Sequence, residues 1–517
     1  MPKFDVVVVG AGNAGMSAAL QSQLLGFKTL LIEQHNLPGG AATSFVRGRF
    51  EVDPSLHELC DYGPADNPGD VRNMMADYGV KAEFLEVGEC FRCVSTYRDG
   101  SPMDVTMPAG IDAFIDKMEF YVPGSREKMV QLFDLFQEVL DGIAYITASR
   151  GNPDKNILGT TYANMLKTGA YSTQEVFDAL ELPDRCQDIL STYWSYLGVD
   201  MEHLAFIHYA AMVHKYTSRG AYILKHTSHE LATAMVERFR ELGGEIWFNC
   251  RAEEFLFRGE YCCGVRTNLG VVDCHYVLAN INPDIIYGKM MPKELVPERE
   301  KKLVAARDRK IGGRMYTAYF CMDCTPEELG IHDYTIFLPG SCDSPTEYAG
   351  IMGGMKTNNF SIFNCYNIAH PEFSPPGTCV CAFTTFGSPV DWNDLKQEDY
   401  FKFKEAGVDK MLANLKEKLG VDLSGHIEEI EIASPWTFAR YLGVPEGGVY
   451  GYEPRDWDGM MARMQMIAYD YPIKGMRPIG AAGPRGDGYA ASMICGRLMA
   501  LNAALDMKKW KEEGGKA

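Results

Sequence analysis

The sequence predicts an α/β chain in which a parallel-sheet domain is assembled from separate stretches and joined to a second, α+β domain. Three observations carry that prediction. The chain opens on a strand, a glycine turn, a helix and a second strand; another α/β run begins near Leu224; and the closing stretch returns to glycines ahead of a helix rich in small residues. At 517 residues the chain exceeds what one ordinary core serves, so two or three domains are expected. Its 46% hydrophobic and 23% charged composition is that of a folded, soluble chain.

The opening "FDVVVVGAGNAG" sets the first element. Phe4 to Val9 is an apolar run that reads as a buried strand, Ala14 to Leu25 as a helix ended by Gly26, and Lys28 to Glu33 as the next parallel strand. Gly10, Gly12 and Gly15 have the spacing of a dinucleotide turn, with Asn13 and Ala14 between the last two. The first glycine makes the turn, the second admits a pyrophosphate to the backbone, and the third lets helix pack on strand. The helix N-terminus then offers N–H groups and a positive dipole end to phosphate. Glu33 ends the second strand 18 residues beyond Gly15, where a carboxylate accepts hydrogen bonds from ribose hydroxyls and repels a 2′-phosphate. The context is Rossmann-like and disfavours NADP.

Two further features separate FAD from NAD. Gln34 leads into Gly39, Gly40, Ala41, Ala42 and Thr43 just past the second strand, and Gly480, Gly486, Asp487, Gly488 and Tyr489 precede the closing helix. An NAD domain needs neither. An extended flavin cofactor uses both: the first turn runs along its pyrophosphate and ribityl chain, and the distant helix N-terminus stabilises negative charge near the flavin N1.

Between these ends the texture changes. Helix is expected from Ser125, a candidate N-cap, with Met129, Leu132, Phe133, Phe136 and Leu140 at helical spacing, and helices continue to about residue 215. The helix "SHELATAMVERFRELGG" ends on Gly243–Gly244 and feeds the strand "EIWFN" and a hairpin-like stretch. Strands and helices mix from 300 to about 430. The expected cofactor domain is therefore discontinuous, drawing on residues 1–75, 215–300 and 430–517. Residues 76–214 and 301–429 form the substrate-binding cap.

These pieces resemble the phytoene desaturase family of FAD oxidoreductases, which includes carotenoid isomerases and retinol saturases, within the glutathione-reductase type of fold. The resemblance rests on "VVVVGAGNAGMSAAL", "LLIEQHNLPGGAATS", "ELGGEIWFNCRAEEFLFRGEYCCGVRTNLG", "SPWTFARYLGVPEGGVYGYE" and "IGAAGPRGDGYAASMICG". It implies non-covalent FAD, an adenine contact at Ala252, and a hydrophobic unsaturated substrate such as an isoprenoid, sterol-like or fatty acyl compound. That substrate would be desaturated, saturated or isomerised at a carbon–carbon bond. One departure stands out: where the family carries "F-D-x-G-x-H" beneath the flavin, this chain has "FEVDPSLHEL", with Glu51 for Asp, no glycine, and His57 at a shifted spacing. His57 and Glu58 are candidates to handle a proton, as are Arg440 and Tyr441 in "TFARYLG".

Composition narrows the rest. With 50 basic and 69 acidic side chains the net charge is −19, which argues against nucleic acid and leaves peripheral membrane contact only to an apolar patch. No apolar run approaches a transmembrane length and the first strand begins at residue 4, so a cytoplasmic location is expected. The 15 cysteines then read as buried small hydrophobes. The pairs Cys90/Cys93 and Cys321/Cys324 lie far apart without completing histidines, and His203, His208, His214, His226 and His229 form no tight ligand motif, so no metal is expected. The segments "STYWSYLG", "FIHYAAMVHKY" and "MMARMQMIAYDY" suit an apolar slot. No second dinucleotide fingerprint identifies an electron partner. A flavin amine oxidase and a non-catalytic prenyl- or lipid-binding protein on the same fold are the competing readings.

Overall fold

The computed structural model describes residues 3–307, 310–467, 471–481, 483–484 and 486–513. The opening strand, Phe4–Val9, lies inside a seven-stranded sheet. It pairs in parallel with Thr29–Ile32 on one side and Gly270–Ala279 on the other, with Val7 opposite Leu30 and Val277. Glu245–Trp247 extends the sheet beyond Thr29–Ile32, and Met476–Pro478 pairs in parallel with Gly270–Ala279. Both faces of the opening strand are covered: Val6 and Val8 join one core, Phe4, Val7 and Val9 another. That double burial is why the strand is an unbroken apolar run.

The helix Asn13–Leu24 packs along the C-terminal helix Tyr489–Glu512. The approach is close because small residues line it. A Cβ on Gly496 would lie 2.1 Å from the Ala14 carbonyl oxygen, and Ser17 Oγ donates to the Met493 carbonyl at 2.7 Å. The two ends of the chain thus build one layer.

A second seven-stranded sheet follows the order Ile427–Ala433, Met315–Met322, Cys379–Phe386, Ser361–Cys365, Thr335–Leu338, Glu89–Thr96 and Pro102–Pro108. All pairs are antiparallel except Thr335–Leu338 with Glu89–Thr96. The cap boundary expected near residue 430 falls inside Ile427–Ala433, which belongs to this sheet. The chain returns to the first sheet at Met476–Pro478, just after Lys474 bridges in parallel to Tyr261. Ala221–Leu224 also lies outside the first sheet, pairing with Phe84–Val87 in a separate ribbon.

Helices from 111 to 219 cover the remaining side. Met129, Leu132, Phe133 and Phe136 are buried on Arg126–Ala148 as their spacing predicts. Ser125 occupies the N-cap but does not cap with its side chain. Glu119 replaces it, accepting the N–H groups of Gly124 and Arg126 at 2.8 Å each. All 15 cysteines are free thiols and 13 are buried, consistent with their use as small core residues.

Candidate active site

A cleft of about 470 Å³ runs along the C-terminal ends of the first sheet's parallel strands. Gly10, Gly12, Asn13, Ala14, Glu33, Gln34, Gly39, Gly40, Ala41, Ala42, Ala252, Gly480, Gly488 and Tyr489 all line it, so the structure gathers most of the sequence-predicted binding positions in one place. Gly15 does not face the cleft. A Cβ there would lie 1.8 Å from the Gly10 carbonyl oxygen, so this glycine serves helix–strand packing. Thr43 is not part of the lining either.

The cleft is shaped by backbone meeting backbone. Gly12 bridges to Gly39, and a Cβ on Gly40 would lie 3.3 Å from the Gly12 Cα. Asn280, at the end of Gly270–Ala279, was not singled out from the sequence. It nevertheless approaches four of the glycine positions: added Cβ atoms on Gly10, Gly12, Gly15 and Gly480 would lie 2.8, 3.0, 3.5 and 2.4 Å from its atoms. Its only signal was its place after an apolar strand. Glu33 is buried, and its carboxylate accepts the Ala11 N–H at 2.7 Å and the His35 N–H at 2.9 Å, which fixes it against the turn.

These residues fit FAD on three counts. The glycine turns leave backbone open where phosphates sit. The Asn13 Oδ1 is buried in the cleft wall without a partner among the described residues. At the far end, the helix Tyr489–Glu512 begins at Gly488 (φ 86°, ψ 172°), a backbone region open essentially only to glycine, and a Cβ there would meet nothing within 4 Å. Gly488, Tyr489 and Ser492 line the cleft, so the helix starts at its edge, where first-turn N–H groups have no intrahelical partner.

A second chamber of about 360 Å³ adjoins the first. Ser55, His57, Tyr450, Gly488 and Tyr489 line both, and mark where the first cleft meets the chamber. The chamber runs between the helices Arg126–Ala148 and Phe206–Arg219 and the first turns of Tyr489–Glu512. Leu140, Ile143, Met212, Met460 and Ile494 supply apolar wall, and Tyr196, Tyr216 and Tyr450 supply aromatic wall. It is less apolar than the sequence suggests, since Glu58, His208, His214, Lys215, Arg219 and Asp487 also line it. Lys215 Nζ and Arg219 donate to the buried Asp61 at 2.5 and 2.9 Å, so those cations are paired. Residues 468–470 of the methionine-rich segment lie outside the described residues.

The departure "FEVDPSLHEL" acquires a physical account here. Residues 53–58 have no regular structure, yet four tyrosine hydroxyls from other elements hold their carbonyls. Tyr319 donates to Pro54 at 2.5 Å, Tyr366 to Leu56 at 2.9 Å, Tyr334 to His57, and Tyr216 to Glu58 at 3.3 Å. Tyrosine anchors fix the segment without a glycine. His57 Nε2 pairs with Thr384 Oγ1 at 3.0 Å, while its Nδ1 has no partner among the described residues. Burial pushes the imidazole down to about 4, so it is neutral at neutral pH.

The remaining expected residues separate. Tyr441 is 61% exposed and stacks on His35, at the Gln34 end of the cleft and not beside His57. Arg440 is exposed and lines neither chamber. Both sit on the short helix Pro435–Leu442, whose inward position is taken by Phe438. Gly486 faces away from the cofactor cleft: a Cβ there would lie 2.4 Å from His208 Nε2. Asp487 lines the second chamber, and burial pushes its carboxyl up to about 7. Of the expected histidines, His208 and His214 are buried in the chamber wall, and His203 pairs with Asp200 at 2.9 Å.

Comparisons with known proteins agree with this geometry. A family profile described as FAD dependent oxidoreductase matches residues 5–58. An all-trans-retinol 13,14-reductase of Macaca fascicularis is 23% identical over 480 residues, 87% of this chain and 77% of its own. A chloroplastic prolycopene isomerase of Daucus carota is 20% identical over 98% of this chain and 80% of its own. A lycopene-forming phytoene desaturase of Pseudescherichia vulneris is 24% identical over 87% and 89%. Among solved structures, an oxidoreductase from Methanosarcina mazei superposes with a TM-score of 0.63 at 13% identity, covering 96% of this chain and 99% of its own, which shows the shared fold. With the dinucleotide turn, the Glu33 carboxylate and the closing helix converging on one cleft, the chain is an FAD-dependent oxidoreductase related to the phytoene desaturases, carotenoid isomerases and retinol saturases.

Proposed function

We propose that this enzyme adds, removes or relocates hydrogen at a carbon–carbon bond of a hydrophobic unsaturated substrate, of isoprenoid, sterol-like or fatty acyl type. The observation that carries the reading is the junction. Five residues, Ser55, His57, Tyr450, Gly488 and Tyr489, are shared by the cofactor cleft and a second chamber large enough for a small-molecule substrate. Bound FAD supplies two-electron chemistry at that junction. The glycine turns and Glu33 would hold its nucleotide portion, Gly488 and the helix behind it would lie at the flavin end, and the apolar and aromatic chamber walls would orient the substrate and exclude water.

The organisation behind this reading is two-part. One part is the cofactor domain of residues 1–75, 215–300 and the C-terminal stretch from Met476; the other is a cap of the intervening residues, the second sheet included. We place the enzyme in the cytoplasm. Among the described residues no helix is long and apolar enough to cross a membrane. Electrons are exchanged with a separate protein, a quinone or a transiently bound nicotinamide, and peripheral membrane contact is compatible with delivery of an apolar substrate.

The amine oxidase alternative requires an aromatic cage and a lysine at the flavin. Tyr450 and Tyr489 are present, but no lysine is among the five junction residues, and Lys215 farther along the chamber is committed to Asp61. Purified protein is expected to be yellow and to release FAD on acid precipitation. Anaerobic photoreduction followed by a panel of polyenes and unsaturated acyl compounds should then reoxidise the flavin or change the substrate's spectrum. A colourless protein that also fails to take up FAD would sink the reading.

A further inference from the structure

Beside His57, on the chamber side of the junction, sits a carboxyl with unusual surroundings. Glu58 lines the second chamber and is 8% exposed. Its Oε1 accepts the Tyr196 hydroxyl at 2.7 Å and its Oε2 accepts the Thr335 hydroxyl at 3.3 Å. Among the described residues no lysine or arginine pairs with it. The nearby carboxyl is Glu89, itself raised by burial, and the tyrosines 196 and 216 line the chamber beside Glu58. Tyr196 packs against Phe337 and Tyr193 with ring centroids 5.2 and 5.7 Å away.

Two donated hydroxyl hydrogen bonds favour the charged form of this buried carboxyl, but no cation joins them, and the desolvation cost outweighs them and holds the group neutral. Here burial pushes the group up to about 8. Its neighbour His57 is neutral for the same reason, with Nδ1 open. Between the two, only Glu58 carries a dissociable proton at neutral pH. The segment holding it is pinned by the four tyrosine hydroxyls, so its position relative to the junction is set before any ligand enters.

We propose that Glu58, and not His57, is the catalytic acid–base that exchanges a proton with the reacting carbon–carbon bond of a substrate in the second chamber. The proposal rests on the function proposed above. In the saturating direction the Glu58 O–H bond breaks and one new C–H bond forms at an olefinic carbon. The second C–H bond forms from the hydride equivalent of a two-electron donor of the reduced-flavin class. Glu58 is left as a carboxylate and is reprotonated from water entering at the chamber's exposed edge, where Gln137 and Asp141 lie. Desaturation runs the same steps backwards. In isomerisation Glu58 gives a proton and takes one back, with no net electron transfer. His57 then acts as a positioning residue through its bond to Thr384.

The test uses wild-type holoenzyme, E58Q and H57N. Infrared difference spectra, reduced minus oxidised, are recorded in H₂O and D₂O with and without all-trans-retinol. The expected result is a protonated-carboxyl band near neutral pH that shifts in D₂O, survives in H57N and vanishes in E58Q. With all-trans-retinol and a panel of carotenes as turnover probes, E58Q should keep its FAD and its Kd for the probe while kcat falls about 10²–10⁴-fold, the usual scale of general acid–base catalysis. E58D should restore part of the rate. In the wild type the rate of a saturating reaction should fall as pH rises through about 8. The titratable groups around Glu58 are Glu89, His57, Cys60, Cys90, Lys215 with Asp61, and the tyrosines 193, 196, 216 and 334, and E58Q separates their contribution. Full kcat and an unchanged pH profile in E58Q overturn the proposal, as does a missing band in the wild type. A band that behaves as expected in an enzyme that turns over none of the probes supports the acid and overturns the polyene reading instead.

Discussion

Glu33 shows how one carboxylate serves two purposes. It ties the glycine turn to the second strand through Ala11 and His35, and it lines the cleft where it would meet a cofactor's ribose. Glu33→Ala should therefore weaken FAD binding by about 1–3 kcal/mol, the worth of a hydrogen bond to a charged group. It should also lower the melting temperature of the apoprotein, which a loss of ribose contact alone would not do. Isothermal titration with FAD and thermal melts of the apo form check both. The buried acids make a separate prediction about pH. Glu58 is pushed up to about 8, Asp487 to about 7 and Asp53 to about 6, so the folded chain keeps protons that the unfolded chain has already released. Stability must fall as pH rises through that window. His57, His208 and His214 act the other way at lower pH: pushed down to about 4, 3 and 4, they cost stability below their ordinary value of 6.5 and nothing above it. Replacing Glu58 by Gln should flatten the fall on the alkaline side. Urea melts at about pH 5 and about pH 8.5 measure it, and an identical slope in both proteins would mean that Glu58 is not the proton holder.

At the scale of the element, the decisive piece is the first turn of the helix Tyr489–Glu512. Gly488 has open space around its missing side chain, so substitution is resisted by the backbone and not by crowding. Its φ of 86° with ψ of 172° lies where other residues pay about 1–3 kcal/mol of strain. Gly488→Val should relax that turn, pull the N–H groups away from the flavin's end of the cleft, and lower the flavin reduction potential while the adenine end stays bound. The helix end carries about half a positive charge and loses influence within a turn, which makes the effect local. Dye-coupled potentiometry decides it, and FAD retained at an unchanged potential would show that the helix does not face the ring. The short helix Pro435–Leu442 is a contrasting case. Its residues read as near-flavin candidates, but it turns Tyr441 to His35 and Arg440 to solvent.

The whole molecule depends on its two ends meeting. Asn13–Leu24 and Tyr489–Glu512 are the most extensively packed pair of helices, and Gly496 sets their separation. Gly496→Val would force a side chain toward the Ala14 carbonyl. Overpacking of this kind costs about 1–3 kcal/mol, and here it also shifts the helix that carries the dinucleotide turn. FAD content and thermal stability should fall together. If the flavin is lost with no change in melting temperature, the two ends are not one cooperative layer. Limited proteolysis should likewise fail to release the first 75 residues as a stable piece, since their strand neighbours Gly270–Ala279 and Glu245–Trp247 come from the middle of the chain.

Local chemistry determined what the sequence shows by itself. The buried parallel strand, the glycine turn, the Glu33 terminus and the glycine-led closing helix each depend on residues close together in the chain, where steric rules for glycine and periodicity for apolar residues act directly. The same locality makes Asn13, Gly39 and Gly40 legible as cleft residues in the sequence alone. Only the tertiary structure decided the rest. Asn280 meets the glycine turn because a strand 270 residues later pairs beside the first one. Ile427–Ala433 joins the second sheet through pairing with Met315–Met322, which no boundary signal announces. His57 and Glu58 are adjacent in sequence and read alike as proton groups. What distinguishes them is the set of partners the fold brings, a threonine for the imidazole and two hydroxyls without a cation for the carboxyl, because desolvation and pairing depend on which distant atoms surround a group and not on its neighbours along the chain.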